Sequence, residues 1–282
     1  MIVVQGMSFS YRRNKPVLDQ INLQMDAGGV YGVLGANGVG KTTLLHLLGG
    51  LLFPSSGNIS VDGMKPMLRQ PAFLEQVYYV PVAFDLPRIT VQAYQQRYAP
   101  FYRQFSFTTW AHALETFGID ANASLAHLSF GQKKKVLLSF AIASGCRILV
   151  FYEPTDGLDI PSKDNFRRLL SARIDEQRLA IIATHHVQDV AMLLDHLVVL
   201  KDQHVLMQSS IEQLTARVRT ATTTQLPGAD ELLYSERVPG GHHCLLRNTQ
   251  GQEGPLDLEL LFKALQSHPE IVQNSLTHEQ HI

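Results

Sequence analysis

The fold of this chain is signalled by Gly35-Ala36-Asn37-Gly38-Val39-Gly40-Lys41-Thr42-Thr43, which combines three glycines with one lysine and two threonines. A short apolar run, 30–34, comes before this stretch, and a leucine-rich helical pattern, 44–48, follows it. Glycines allow consecutive backbone N–H groups to curl around a phosphate, and the following helix directs the positive end of its dipole at that anion. The succession of strand, glycine-rich turn and helix therefore predicts a loop that binds nucleotide phosphates.

The residue types inside this stretch match what a nucleoside triphosphate requires. Lys41 is expected to reach the β- and γ-phosphates, and the Thr42 hydroxyl is expected to bind Mg²⁺. The other predicted ATP contacts within the stretch are Gly35, Asn37, Gly38, Val39, Gly40 and Thr43. A glycine turn ahead of an ordinary helix is the alternative, which the strand and helix on either side disfavour.

The composition limits the class of protein. Of the 282 residues, 45% are hydrophobic and 17% are charged, so the chain can bury a substantial core in one large domain, or in one large and one small domain. The net charge of −1 argues against a sequence-independent nucleic-acid binder, which normally carries a basic surplus, and no nucleic-acid partner is expected. Two cysteines, Cys146 and Cys244, are too few for a disulfide framework and favour a reduced, intracellular setting.

No segment predicts a leader or a membrane anchor. Residues 1–4 lack the basic region and the long apolar stretch of a signal peptide. No window contains the ~20 apolar residues that a membrane helix needs. We therefore expect a soluble protein that contacts a membrane only through a partner.

Short apolar segments alternate with helical patterns along the middle of the chain. Residues 147–152 and 179–184 are predicted to be buried strands, and residues 131–144 and 162–173 to be helices. This alternation predicts an α/β fold with a mainly parallel sheet, in which ligands lie beyond the carboxyl ends of the strands. Residues 2–11 alternate loosely and are expected to form an edge strand.

Aromatic residues are concentrated between residues 90 and 117. The set comprises Tyr94, Tyr98, Phe101, Tyr102, Phe105, Phe107 and Trp110. At helical spacing, so many aromatic side chains predict the packed core of a small subdomain.

Three further segments contain residues suited to nucleotide chemistry. Ser129 and Gly131 open a predicted helix, where a serine is either a plain N-cap or part of an anion site. Glu153 follows a buried strand and is either a surface carboxylate or the group that orients an attacking water. His185 follows the next buried strand and is either a bystander or a hydrogen-bond partner of a γ-phosphate.

In this order and at these distances, the segments resemble the nucleotide-binding subunit of ABC transporters, most like the ABC-2 or drug-export type, over about residues 2–208. The matching segments are residues 35–43 (Walker A loop), 128–132 (signature), 148–153 (Walker B), 157–159 (D-loop) and His185 (switch histidine). Tyr11 stands where the family places an aromatic ring on adenine. A core position in the first strand is the alternative for Tyr11, because Phe9 shares its alternation.

The resemblance implies a P-loop NTPase of the ABC ATPase fold. Such a fold has a mainly parallel core sheet, an antiparallel β subdomain and a helical subdomain, here at about residues 85–145. The ATP-binding domain would span residues 1–210, and residues 211–282 would form a small C-terminal accessory domain of unknown role.

The resemblance also implies an ATPase mechanism. Two subunits, identical or different, close head to tail and share each ATP between the Walker A loop of one and the signature of the other. Glu153 would orient or deprotonate the water, while Lys41 and His185 hold the γ-phosphate. Ser129, Gly131 and Gln132 would contact the partner's ATP, Asp159 would be a further nucleotide contact, and Thr42 would bind Mg²⁺.

The same resemblance implies a location and a partner. The chain would lie on the cytoplasmic face of the inner or plasma membrane and power export through a separate integral membrane permease. A soluble ABC protein acting outside transport is one alternative, although such proteins typically carry two ATP-binding domains or a long coiled-coil insertion. A degenerate module that binds ATP and hydrolyses it poorly is another.

Three positions depart from the family pattern. Tyr152 occupies the place of the Walker B aspartate, and Val82 occupies the place of the glutamine after the strand that ends at Pro81. Both family residues help to hold Mg²⁺ or its water shell, and Gln70 and Gln76 lie before the strand, at the wrong end to substitute. Phe130 replaces the first glycine of the signature, a milder change. Nucleotide binding is therefore expected, and a reduced rate of hydrolysis is predicted.

Two remaining segments have open roles. The basic run 133–135 is expected to be a solvated helix face, with contact to lipid headgroups or a membrane partner as the alternative. Beyond residue 209 the pattern indicates a weak helix, a hairpin around residues 238–241 and a helix at about 256–265. The motif at 242–244, two histidines and a cysteine, suggests a metal, but no second ligand cluster lies near it in the sequence.

Overall fold

The structure, a computed structural model, describes residues 1–13, 15–249, 251 and 254–277. The strands are β1 (Ile2–Phe9), β2 (Leu18–Met25), β3 (Gly29–Gly35), β4 (Ser56–Val61), β5 (Val77–Val80), β6 (Ile148–Tyr152), β7 (Leu179–Ala183), β8 (His196–Lys201), β9 (His204–Ser210), β10 (Val218–Thr223), β11 (Leu232–Val238) and β12 (Gly241–Arg247). The α-helices are α1 (Lys41–Leu48), α2 (Pro71–Leu74), α3 (Val91–Tyr98), α4 (Phe107–Phe117), α5 (Phe130–Ala143), α6 (Ile160–Ser171), α7 (Val187–Val190), α8 (Ile211–Arg217), α9 (Leu258–Ser267) and α10 (Pro269–Thr277). Short 3₁₀ turns join several of them.

A six-stranded sheet in the order β5-β6-β7-β3-β8-β9 forms the centre of the molecule. All neighbouring pairs are parallel except β8 and β9, which are joined as an antiparallel hairpin. Every residue of β3 and β7 is buried, which is the pattern of strands covered on both faces. The predicted α/β fold with a mainly parallel sheet is confirmed.

A separate antiparallel sheet has the order β2-β1-β4. The prediction that β1 is an edge strand is wrong, because β1 pairs with β2 on one side and with β4 on the other. The alternation of β1 records only which face is buried. It contains no information about whether one or both edges of the strand are paired.

The aromatic residues of the helical region pack around Phe140 of α5. The ring centroids of five aromatic residues lie 4.9–5.7 Å from that of Phe140: Tyr78, Tyr94, Tyr102, Phe105 and Trp110. The prediction of aromatic core packing is confirmed for the four of these rings that belong to the predicted set: Tyr94, Tyr102, Phe105 and Trp110. It is wrong for Phe101 and Phe107, which are 66% and 62% exposed.

The chain beyond residue 210 adds a third sheet, in the order β10-β12-β11, together with α8, α9 and α10. The predicted hairpin is present, with Val238 opposite Gly241, whereas β10 was not anticipated from the sequence. Gln188 of α7 donates to Glu259 of α9 at 2.6 Å, so this part packs beside the segment that follows β7. The division into domains at residue 210 stays a prediction.

The motif at 242–244 does not gather metal ligands. Cys244 is fully buried, and the His243 ring lies 3.2 Å from the Asp257 carboxylate. Within the described part of the chain, neither residue belongs to a cluster of three potential metal-binding groups. The same described ranges contain no helix with the length and apolar character needed to cross a bilayer.

Candidate nucleotide site

The predicted site residues lie together just beyond the carboxyl ends of neighbouring strands of the central sheet. Strands β3, β7 and β6 are neighbours and run parallel, so the segments after their carboxyl ends lie side by side. These segments are the glycine-rich loop after β3, Glu153 after β6 and His185 after β7. Parallel pairing therefore brings together groups that are more than 100 residues apart in the sequence.

The glycine-rich loop has the backbone geometry that its composition predicted. Gly38 and Gly40 have φ of 80° and 112°, in the left-handed region that disfavours side chains. A Cβ at Gly40 would also lie 2.7 Å from Leu18 Cδ2. Helix α1 begins immediately afterwards at Lys41, so the loop ends at the positive end of a helix dipole.

Lys41 is held inside this loop. Its ammonium group donates to the carbonyl oxygens of Gly35 at 2.7 Å and Ala36 at 3.2 Å, and the residue is 5% exposed. Burial lowers the pKa of Lys41, and the negative charge of Glu153 opposes this shift. Two neutral carbonyl acceptors leave this cation without a full counter-charge, so an anionic phosphate fits the loop.

A cleft of about 530 Å³ adjoins the loop. It is lined by loop residues 36–39, by Tyr11 and by Asp202 and Gln203 of the β8–β9 turn. Tyr11 is 61% exposed, so the alternative of a core position is wrong, and Phe9, at 6%, is the core residue of this pair. The Tyr11 hydroxyl lies 3.2 Å from Thr43 Oγ1, which holds the ring over the start of α1.

Glu153 and His185 contact each other directly. Glu153 has a φ of 48° and is 5% exposed, so the reading as a surface carboxylate is wrong. Its carboxylate accepts from Thr184 Oγ1 at 2.7 Å and from the His185 backbone N–H at 3.1 Å, and it lies 2.8 Å from His185 Nδ1. A buried carboxylate with three partners has a fixed orientation, which a group that positions water requires.

The signature segment begins α5 and is exposed. Ser129 Oγ accepts from the Gln132 backbone N–H at 3.2 Å, and Gln132 Oε1 accepts from the Ser129 N–H at 2.9 Å. This reciprocal pair is a capping box, so the N-cap reading of Ser129 describes the structure. A Cβ at Gly131 would lie 2.5 Å from the Gly157 carbonyl oxygen, which explains the glycine at that position.

Asp159 is the N-cap of α6. Its carboxylate accepts from the Ser162 backbone N–H at 3.1 Å, and Lys135 Nζ lies 3.7 Å away. Hydrogen bonding from the Ser162 side chain, together with that from its backbone N–H, lowers the pKa of Asp159. The structure thus shows a structural role for Asp159, and a nucleotide contact stays a prediction.

The expectation that the basic run 133–135 is a solvated helix face is wrong for Lys134, whereas Lys133 and Lys135 are partly exposed. Lys134 is fully buried, and its ammonium group donates to the carbonyl oxygens of Glu153 at 3.2 Å and Pro81 at 3.3 Å. The rings of Phe84 and Phe130 lie 5.5 and 5.8 Å from the nitrogen. Burial lowers the pKa of Lys134 to about 8. The sequence shows three consecutive lysines, and only the tertiary packing distinguishes the middle one.

The residues for Mg²⁺ are few. Thr42 lies in the first turn of α1, where its hydroxyl would hold the ion together with phosphate oxygens. Tyr152 ends β6, partly buried among apolar residues, and supplies no carboxylate there. Gln76 precedes β5 and Val82 follows it, so no glutamine occupies the predicted position after that strand.

Comparison with known proteins decides the family. A family profile described as "ABC transporter" matches residues 18–156. An ABC transporter ATP-binding protein of Methanosarcina acetivorans is 30% identical over 222 residues, which cover 75% of this chain and 78% of that protein. The chain belongs to the ABC transporter family. It is an ATP-binding subunit of that family and an ABC ATPase.

Further relatives of this ABC ATPase are named for transport in different directions. SkfE of Bacillus subtilis, an ATP-binding protein named for SkfA peptide export, is 29% identical, with 76% of this chain and 90% of SkfE covered. MolC of Haemophilus influenzae, named for molybdate import, is 27% identical, with 77% and 86% covered. The family resemblance is confirmed, while the relatives do not agree on direction of transport.

Solved structures confirm the ABC ATPase fold. The ATP-binding subunit of an ABC transporter superposes with a TM-score of 0.69 at 22% identity, covering 76% of this chain and 91% of that one. A dimeric, post-hydrolysis structure of the cassette MJ0796 bound to ADP and Pi superposes with a TM-score of 0.66 at 21% identity, covering 75% and 99%.

Proposed function

We propose that this ABC ATPase powers export through a separate integral membrane permease by closing as a dimer around ATP and Mg²⁺. The observation that carries the proposal is the exposed start of α5. Ser129, Phe130 and Gln132 are exposed beside a helix N-terminus, where they are available to a nucleotide bound by another subunit. The dimeric form of MJ0796 supports the same arrangement.

In such a dimer each chain contributes to both ATP sites, with its phosphate loop to one and its signature segment to the other. Lys41 and the loop glycines bind the phosphates, Thr42 holds the Mg²⁺ that neutralises phosphate charge, and Tyr11 covers adenine. Glu153 orients the water, and His185 hydrogen-bonds the γ-phosphate. Because the Glu153 carboxylate and the His185 ring contact each other, a shift of the ring toward phosphate breaks one of the three contacts of the carboxylate.

The absent carboxylate at position 152 makes hydrolysis slow. In phosphoryl transfer, catalysis depends almost entirely on positioning and electrostatic stabilisation. Tyr152 and Val82 cannot order the water shell of the ion as a carboxylate and an amide would. We therefore infer a low basal turnover with an elevated Mg²⁺ requirement.

A groove next to the aromatic cluster is the proposed docking site for the permease. Its volume is about 590 Å³, and it is lined by aromatic and apolar residues, among them Leu51, Leu74 and Phe101, which are 45%, 37% and 66% exposed. Arg69 and Arg103 stand among the lining residues. This combination suits an amphipathic helix that projects from a membrane protein. Such docking places the chain peripherally on the cytoplasmic face of the membrane.

The direction of transport is inferred from SkfE, a relative named for peptide export. Purification of the tagged chain from its own membranes tests the partner. The expected result is one co-purifying integral membrane protein without ATP-binding motifs, which Phe101→Glu releases. Export predicts ATP-dependent uptake of the substrate into inside-out vesicles that contain this complex, and uptake into right-side-out vesicles would contradict it.

Dimer closure is tested with Glu153→Gln, which preserves binding and slows hydrolysis. In light scattering, this variant is expected to become a dimer with ATP and Mg²⁺ and to return to monomer with ADP. Lys41→Ala is the matched control and should stay monomeric. A Glu153→Gln chain that remains monomeric with ATP contradicts a homodimer, and a second ABC ATPase must then co-purify if the shared site is correct.

A further inference from the structure

A cluster of side chains that could bind a metal lies beside Glu153, beyond the carboxyl ends of the strands of the central sheet. Asp156, His185 and His186 each offer one ligand atom, and these atoms all lie within 4.8 Å of one another. His186 Nε2 is 3.8 Å from Asp156 Oδ1, and the two histidine rings have centroids 3.7 Å apart. In the described ranges of the chain, this is the one group of three such residues.

Backbone geometry explains why the three side chains meet. Strands β6 and β7 are parallel neighbours, with Tyr152 opposite Ala183, so the segments that follow them emerge together. After β6, the left-handed backbone of Glu153 turns the chain and Asp156 follows. After β7, Thr184 Oγ1 accepts from the His186 N–H at 2.9 Å. This tight turn brings two consecutive histidine rings together, which an extended strand would direct to opposite faces.

Glu153 supplies the outer partner that a metal-binding histidine usually has. Its carboxylate lies 2.8 Å from His185 Nδ1. A carboxylate that accepts the Nδ1 proton fixes the tautomer and leaves the lone pair of Nε2 available to a metal. Asp156 and Glu153 bring two negative charges, which face two cations, Lys134 near both carboxylates and Lys41 near Glu153. The case for a dication therefore rests on the ligand atoms of Asp156, His185 and His186 and on their spacing.

The ligand set selects a class of ion. Two imidazoles and one carboxylate suit Zn²⁺ and its first-row neighbours, whereas Mg²⁺ prefers oxygen ligands. A zinc ion with ligands at about 2.0–2.2 Å holds them about 3.3–3.6 Å apart. The 3.8 Å between His186 and Asp156 is close to that spacing, and the side chains, 53% and 30% exposed, can rotate to reach it.

The geometry points to a binding site for a transition-metal dication such as Zn²⁺, formed by Asp156, His185 and His186, whose occupation inhibits the ATPase. An ion bound to His185 withdraws that ring from the γ-phosphate and holds it against Glu153. The binding site stands independently of the proposed function, and the inhibitory effect rests on the proposed role of His185. His186 and Asp156 belong to the metal site alone and have no assigned role in hydrolysis.

Cobalt titration of the full chain tests binding without reference to activity. Co²⁺ bound by two histidines and a carboxylate gives visible absorption bands, and Zn²⁺ should abolish them by displacement. Because the sequence also carries His278 and His281 near its end, the titration uses a His278→Ala/His281→Ala background. We expect one Co²⁺ per chain, with at least tenfold weaker binding in His186→Ala and in Asp156→Asn. His112→Ala, which removes an exposed histidine of α4, is the control and should bind normally.

ATPase assays in excess Mg²⁺ then test the consequence. Zn²⁺ is expected to inhibit ATP hydrolysis by the His278→Ala/His281→Ala protein and by its His112→Ala variant. The His186→Ala variant should hydrolyse ATP as fast with Zn²⁺ as without it. Unchanged Co²⁺ binding in both site variants overturns the metal site. If the site variants weaken Co²⁺ binding but Zn²⁺ does not inhibit the ATPase, the inhibitory role is overturned. A protein that shows the expected cobalt spectrum but does not hydrolyse ATP refutes the proposed function and leaves the metal site intact.

Discussion

The ammonium group of Lys134 donates to the backbone carbonyl oxygen of Glu153 at 3.2 Å. The same group donates to the backbone carbonyl oxygen of Pro81, the residue that follows β5. One buried cation of the signature helix therefore holds the carboxyl ends of two adjacent strands, the one that precedes the proposed catalytic glutamate and the one that precedes Val82. Lys134 thus acts as a positioning residue that joins α5 to the backbone of Glu153.

The first prediction concerns the pH dependence of this contact. With the pKa of Lys134 near 8, the amine loses its charge as pH rises through about 8, and its hold on two carbonyl oxygens weakens. ATPase activity of the wild type is expected to fall across this range. In Lys134→Arg, whose side chain stays charged, the fall should move to higher pH, which steady-state rates from pH 7 to 9.5 would show.

The folding stability of the chain supplies the control, because the contribution of Lys134 to it changes with pH in the opposite direction to the ATPase activity. The pKa of Lys134 is lower in the folded chain than its ordinary value of 10.5, so the unfolded chain binds more protons between about pH 8 and 10.5. The contribution of Lys134 to stability therefore rises with pH in that window. Urea unfolding of wild type against Lys134→Met should show this difference, and a shared loss of activity and stability would contradict the positioning role.

The second prediction is that Lys41→Ala loses ATP binding. Charge-assisted hydrogen bonds are worth about 1.5–3 kcal/mol each, so removal of the lysine should weaken binding by about 100-fold or more. Titration calorimetry measures the effect, with the exposed Lys65→Ala as the matched control. Unchanged affinity in a folded Lys41→Ala protein would remove the assignment of the phosphate loop.

The third prediction is a gain of activity in Tyr152→Asp. A carboxylate at the end of β6 would add a negative charge near the metal and order its water shell. Turnover should rise roughly tenfold, corresponding to ~1.4 kcal/mol of barrier, and half-saturation should occur at lower Mg²⁺. Tyr152→Phe controls for loss of the hydroxyl. A folded Tyr152→Asp protein with no gain would show that packing around Tyr152 compensates for the missing aspartate.

The fourth prediction concerns the aromatic cluster. Phe140 is fully buried among five aromatic rings, so Phe140→Ala should lower the free energy of unfolding by about 3–5 kcal/mol. Phe107→Ala, at a position that is 62% exposed, should cost less than about 1 kcal/mol. Urea denaturation of the two variants makes the comparison. Equal losses would show that the cluster does not carry the stability of the helical region.

Local features were determined by the sequence alone. The phosphate loop depends on glycines, a lysine and a helix start that are contiguous in the chain, so the local sequence is sufficient to predict its geometry. The buried strands β6 and β7 are likewise short apolar runs whose composition indicates burial on both faces. For the same reason, the position of Glu153 and His185 at strand ends could be predicted from the sequence.

Contacts between distant segments were decided only by the tertiary structure. Parallel pairing of β6 and β7 brings Glu153 against His185, and Asp156 against His186, across about 30 residues of chain. Lys134 is one of three consecutive lysines in the sequence, and it is buried because it contacts the backbone that follows β5 and β6 and the rings of Phe84 and Phe130. The middle position of β1 was also invisible, since alternation reports a buried face and not the pairing of edges. Periodicity records the environment of one element, whereas these contacts depend on which elements lie next to each other.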